Sequence, residues 1–116
     1  MTSLRIVERR NEERVPSHVQ LLVWGVDTRG ERFVQHARAQ DISLGGALLS
    51  GLESDVRSGD VVGILYDGKK ARFRVIWVRY ADATTKLQAA VQRLPGDLCP
   101  WEGLLQEAAS ASQGPG

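Results

Sequence analysis

Asp67 and Gly68 separate an apolar run at residues 61–66 from an alternating run at residues 71–80. A two-residue link between strand-like segments suits a type I′ turn. That turn needs positive φ at both central positions, and Asp-Gly tolerates this best. The pair is therefore a strong hairpin signal near the middle of the chain. In the second run Phe73, Val75 and Trp77 alternate with Arg72 and Arg74, the period of a strand with one face in a core.

The same period extends to both sides. In residues 17–26, Val19, Leu21 and Val23 share one face, with Leu22 and Trp24 on the other. Asp27-Thr28-Arg29-Gly30 links this run to a more polar one, 32–40, which carries Phe33 and Val34. A short strand at 47–49 follows Gly45-Gly46, and another at 87–94 completes six. The period then changes. Trp101, Leu104, Leu105 and Ala108 fall at helical spacing, with Pro100 suited to the first turn. Short strands, tight turns and one amphipathic helix predict an all-β fold, a six-stranded antiparallel β-barrel with a C-terminal α-helix. A helix this short needs tertiary support, so the Trp101/Leu104/Leu105 stripe is expected to dock on the barrel. The expected organisation is an N-terminal arm at 1–16, a barrel with its helix at 17–109, and a disordered tail at 110–116.

Composition narrows the function. Fifteen Lys and Arg balance fourteen Asp and Glu to a net charge of +1, against the broad basic surface of a general nucleic-acid binder. A small anionic ligand is compatible, because Arg9, Arg10 and Arg14 fall within six residues. The single cysteine, Cys99, excludes an intrachain disulfide and a cysteine-built zinc site. His18 and His36 have no further ligand at metal-binding spacing. No nucleophile-elbow pattern is present, so no catalysis is expected. The N-terminus lacks the apolar stretch of a signal peptide, and no run approaches the ~18–20 apolar residues of a membrane span. The expectation is a cytoplasmic protein without membrane insertion.

Two polar clusters flank the first hairpin. Arg10 and Arg14 form Arg-x-x-x-Arg, and Asp41, Ser43 and Gly46 form Asp-x-Ser-x-x-Gly. A turn centred between Thr28 and Arg29 makes paired residue numbers total 57. Without a large bulge, that places Arg14 beside Ser43. Each cluster has a bland reading: a solvated charge run neutralised by Glu8, Glu12 and Glu13, and an ordinary turn.

Together, in this order, the two motifs resemble the PilZ domain family, bacterial receptors for the second messenger cyclic di-GMP. The strands at 47–49, 73–78 and 88–94 sit where that family's barrel strands would. The resemblance implies ligand-binding roles for Arg10, Arg14, Asp41, Ser43 and Gly46. Arginine suits such a ligand, since its planar fork grips phosphate or the Hoogsteen edge of guanine. Asp41 is an acceptor for guanine N–H groups or an orienter of arginine, and Ser43 a donor to phosphate. Gly46 lets backbone approach the ligand or adopt positive φ. By the same resemblance Arg9 stands at a position that influences whether one ligand molecule or a stacked pair binds, and a third cation there favours the pair. Arm residues 5–16 are expected to order over the barrel when ligand binds, offering a changed surface to a downstream effector protein. No cofactor and no DNA or RNA is implied. The alternatives are a PilZ-like interaction adaptor that binds no nucleotide and a small nucleic-acid-binding barrel. Trp24, Trp77 and Trp101 are expected in core or barrel-end packing, Arg72 and Arg74 on the solvent face, and Cys99 inert.

Overall fold

A computed structural model of the chain describes residues 14–80 and 86–112. Arg9, Arg10, most of the expected arm and the last four residues of the expected tail lie outside them. Six strands run β1 Val15–Val26, β2 Arg32–Ile42, β3 Gly46–Leu52, β4 Val61–Tyr66, β5 Lys69–Tyr80 and β6 Leu87–Arg93, followed by helix α1, Glu102–Ser112. Every pairing is antiparallel. The order β1-β2-β3-β6-β5-β4 closes when β4 pairs with β1. The expected barrel with its helix is present. Strand β1 begins two residues inside the expected arm, and α1 continues past residue 109 to Ser112. Among the described residues, no helix is long and apolar enough to cross a membrane.

The turn chemistry read from the sequence operates as expected at Asp67-Gly68. Tyr66 pairs with Lys69, and the two turn residues have φ of 53° and 76°. The first hairpin differs in detail. Its loop spans residues 27–31, closed by Asp27 N–H to the Glu31 carbonyl at 2.8 Å. Asp27 Oδ1 also accepts the N–H groups of Arg29 and Glu31, both at 2.9 Å. The backbone bond from Glu31 is the main reason the Asp27 carboxyl sits below its ordinary pKa.

This loop centres on Arg29, so pairs from Val19↔Ala39 to Val26↔Arg32 total 58. An irregularity between Pro16 and Val19 then restores 57 at Pro16↔Asp41 and Val15↔Ile42. Ser17 Oγ satisfies the Ala39 carbonyl there, at 2.7 Å. The expected meeting of Arg14's end of β1 with Ser43's end of β2 comes about through a bulge, not through an uninterrupted ladder.

Inward residues fill the barrel: Leu21, Val23, Ile42, Leu49, Ile64, Phe73 and Val75 are each at most 3% exposed. The helix docks as its apolar stripe implies. Trp101 is fully buried and stacks on Phe73, with centroids 5.2 Å apart, and Leu104 and Leu105 pack against the same core.

Candidate functional site

The loop from β2 to β3 closes on itself. Ser43 N–H donates to the Gly46 carbonyl at 2.9 Å, and Gly46 N–H donates to Ser43 Oγ at 3.1 Å. This is the local bonding that serine offers in a tight turn. The turn is also fastened from behind. Trp101 Nε1 donates to the Ser43 carbonyl at 2.7 Å, and Cys99 Sγ approaches the same oxygen at 3.8 Å. Arg93 reaches the turn twice, through its backbone N–H to Gly45 O at 2.7 Å and its Nε to Leu44 O at 2.9 Å. Burial raises the Cys99 thiol pKa, which suppresses the reactive thiolate.

Of the two reasons expected for glycine at position 46, positive φ does not apply. A Cβ there would sit 2.1 Å from the Val91 carbonyl oxygen. The close approach that requires glycine is between β3 and β6. Ser43, only 4% exposed, has its hydroxyl engaged within the turn.

Opposite this wall, just before β1, Arg14 Nη1 donates to Asp41 Oδ1 at 2.5 Å, and 55% of the arginine side chain remains exposed. Arg14, the Ser43–Gly46 turn, Ile76, Trp77 and β6 residues 90–92 line one cleft of about 290 Å3. Four of the six expected site residues are thus described, and Arg14, Ser43 and Gly46 share the cleft, with Asp41 holding Arg14 at its edge.

Trp77 corrects the expectation of core or barrel-end packing. Val75 pairs with Val91 but Trp77 pairs with Ala90, so Ile76 is an extra residue on β5. The bulge reverses the alternation beyond Val75, leaving Ile76 and Trp77 42% and 41% exposed. Bulges commonly re-aim a side chain in this way. On the other edge of β5, the loop before β4 continues the β4 side: Gly59 N–H donates to Val75 O at 2.7 Å, Val75 N–H to Asp60 O at 2.8 Å, and Ser58 Oγ to Ile76 O at 2.7 Å. The guanidinium of Arg79 lies 5.3 Å from the Trp77 ring centroid. Its Nε donates to Gln88 Oε1 at 2.6 Å, and Gln88 Nε2 to Gln40 Oε1 at 2.6 Å. The four consecutive apolar residues 75–78 break strict alternation, and that was the available signal. Nothing in residue spacing marked Arg93.

Arg72 and Arg74 do face outward, and Arg72 forms a two-point contact with Asp97. Nε to Oδ2 is 3.2 Å and Nη2 to Oδ1 3.1 Å. This contact holds the Asp97 carboxyl below its ordinary pKa and raises that of Arg72.

No protein-family model matches the sequence, and no curated protein does. Solved structures share its fold. The chain superposes on MrkH from K. pneumonia in its apo state with a TM-score of 0.60 at 14% identity, covering 87% of this chain. It spans about half of MrkH, 51% of that chain. It superposes on the PilZ domain of CeSA from a cellulose-synthesizing bacterium with a TM-score of 0.54 at 16% identity. That match covers 86% of this chain and 98% of the other. The fold is that of a PilZ-like domain.

Proposed function

We propose that this chain is a receptor for cyclic di-GMP, bound at the cleft between Arg14 and the Ser43–Gly46 turn. The observation that carries this reading is the juxtaposition itself: an exposed guanidinium oriented by Asp41, a fastened turn opposite, and the Trp77 ring at the rim. The PilZ-like fold supports it. One guanidinium edge lies on Asp41, and the group has further N–H donors for phosphate or guanine. The Trp77–Arg79 pair offers a flat face to a base. A bidentate arginine–guanine contact contributes roughly 1–3 kcal/mol of base discrimination. In this reading Arg9 and Arg10 complete the clamp, a stacked pair of ligand molecules is held, and the arm orders over the barrel for a downstream effector. No bond is made or broken, and the protein acts in the cytoplasm as a binding module rather than an enzyme.

Calorimetry with cyclic di-GMP, beside GTP and cyclic di-AMP, is the direct test. Saturable heat with cyclic di-GMP alone is expected, at two molecules per chain. Equal amide exchange in residues 5–16 with and without ligand would remove the arm-ordering step. A second reading, an interaction adaptor that binds no nucleotide, draws on a specific observation. Asp41, Ser43 and Gly46 each have a structural task already, in the Arg14 ion pair, the turn and the β3–β6 approach. Absence of heat with every nucleotide would favour it.

A further inference from the structure

The outer wall of the barrel on β2, β1 and β4 is apolar where a solvated wall would be polar. Inward-facing Leu21 and Val23 are buried, so Leu22, Trp24 and Val26 point away from the core. Val34, opposite Trp24 on β2, is 67% exposed, Val26 is 53% exposed, and Val61 on β4 is 43% exposed. The Trp24 ring lies across Gly63, where a Cβ would meet it at 2.1 Å. Glycine at 63 thus makes room for the indole on the outside of the barrel. A contiguous exposed apolar patch of this kind marks an interaction site.

Charge frames the patch. On β5, Lys70, Arg72 and Arg74 pair with Leu65, Gly63 and Val61. On β2, Arg32 and Arg38 stand on either side of Val34 and His36. The outward positions in residues 22–26, 32–38, 61–65 and 70–74 hold no carboxylate, and Asp41 lies further along β2, on Arg14. Asp97 meets Arg72 from the turn after β6. A hollow of about 450 Å3 adjoins the patch at Val26 and Val61, lined also by Gly25, Thr28 and Arg57. Its two carboxylates are engaged with backbone, Asp27 with Arg29 and Glu31, and Asp60 with Arg57.

We propose that this face docks an acidic, amphipathic segment of a partner protein. Its apolar side chains lie on Trp24 and Val34 with one in the hollow, and its carboxylates meet Arg32, Lys70 and Arg74. An apolar centre within a charged rim is the anatomy of a protein interface. A nucleic acid is the weaker fit, because the patch holds one indole, covered on one face by Gly63, among aliphatic residues. The surface stands apart from the Arg14 cleft and does not depend on nucleotide binding.

The test is fluorescence anisotropy with labelled probes titrated with the full chain, without nucleotide. The probes are a short synthetic peptide of Glu, Leu and Phe at amphipathic spacing, the same peptide with Leu and Phe replaced by Ser, phosphatidylglycerol vesicles, and oligodeoxythymidylate. The first peptide is expected to bind, and to weaken about tenfold on loss of its apolar residues, the cost of one well-buried contact pair. Val34→Glu should weaken it by a similar factor. Gln106→Glu, the same charge change on the exposed face of helix α1, should leave it unaltered, with circular dichroism verifying the fold of each variant. Equal binding by both peptides, indifference to Val34→Glu, or tighter Val34-dependent binding of vesicles or oligonucleotide would overturn the proposal. Calorimetry with cyclic di-GMP reports separately on the cleft.

Discussion

The two walls of the cleft are built in opposite ways. The Ser43–Gly46 wall has both its end residues buried, is closed by its own hydrogen bonds, and is fastened by Trp101 and Arg93 from elements far away in sequence. The Arg14 wall is a half-exposed side chain positioned by one ion pair to Asp41. An exposed pair of this kind contributes at most about 1 kcal/mol to stability, since solvent screens it and two side chains must be ordered. One wall is part of the fold, while the other rests on it. Stability and binding should therefore respond to different substitutions.

Removing the fastening should have the largest effect. Trp101→Ala deletes a fully buried ring and the donor to Ser43 O, and should cost about 3–5 kcal/mol in a urea melt. Ligand affinity should fall with it. Gly46→Ala should cost less, about 1–3 kcal/mol, because the new methyl forces β3 from the Val91 carbonyl. A melt unchanged by either substitution would dissolve the contrast between the walls.

Arg14→Ala sharpens the contrast from the other side. The melt should move by about 1 kcal/mol or less, while cyclic di-GMP affinity in calorimetry drops at least about tenfold. Trp77→Ala should likewise spare the fold, its ring being 41% exposed, and weaken ligand by several-fold through lost stacking.

The smallest effect belongs to Asp97, outside both walls. Its folded pKa is depressed, so its stabilisation is present above the ordinary carboxylate pKa of about 3.9 and is lost as pH falls through the folded value. Asp97→Asn should flatten the acid limb of a stability-against-pH profile by lowering stability slightly at neutral pH and leaving it unchanged once the carboxylate of the parent chain is protonated. An unaltered acid limb would show that Arg72 does not hold this carboxylate in solution.

Local chemistry made much of the barrel legible. Asp67-Gly68 needs no tertiary information to turn, and alternation marked Leu21, Val23, Phe73 and Val75 as core. Trp101 and Leu104 announced a docking helix by spacing. Legibility ended where distant backbone decides. The bulge at Ile76 is a register shift in the pairing of β5 with β6, which strand periodicity does not carry, so alternation placed Trp77 on the wrong side. Gly46 answers to a carbonyl on β6, a strand that hairpin register does not reach. The proximity of Arg14's end of β1 to Ser43's end of β2 was foreseen with a loop centre half a residue off. The bulge near Ser17 offsets that error.

Closure of the sheet carries one more consequence. Among the described residues each of the six strands has a neighbour on both sides, so no strand presents a wholly unpaired edge to another chain. A partner then meets mainly the side chains on the barrel's skin. Those positions are bound to the lattice of strands only through their Cα atoms, so their chemistry is free to change while the cylinder stays the same. A scaffold of this kind changes what it meets by repainting, not by rebuilding.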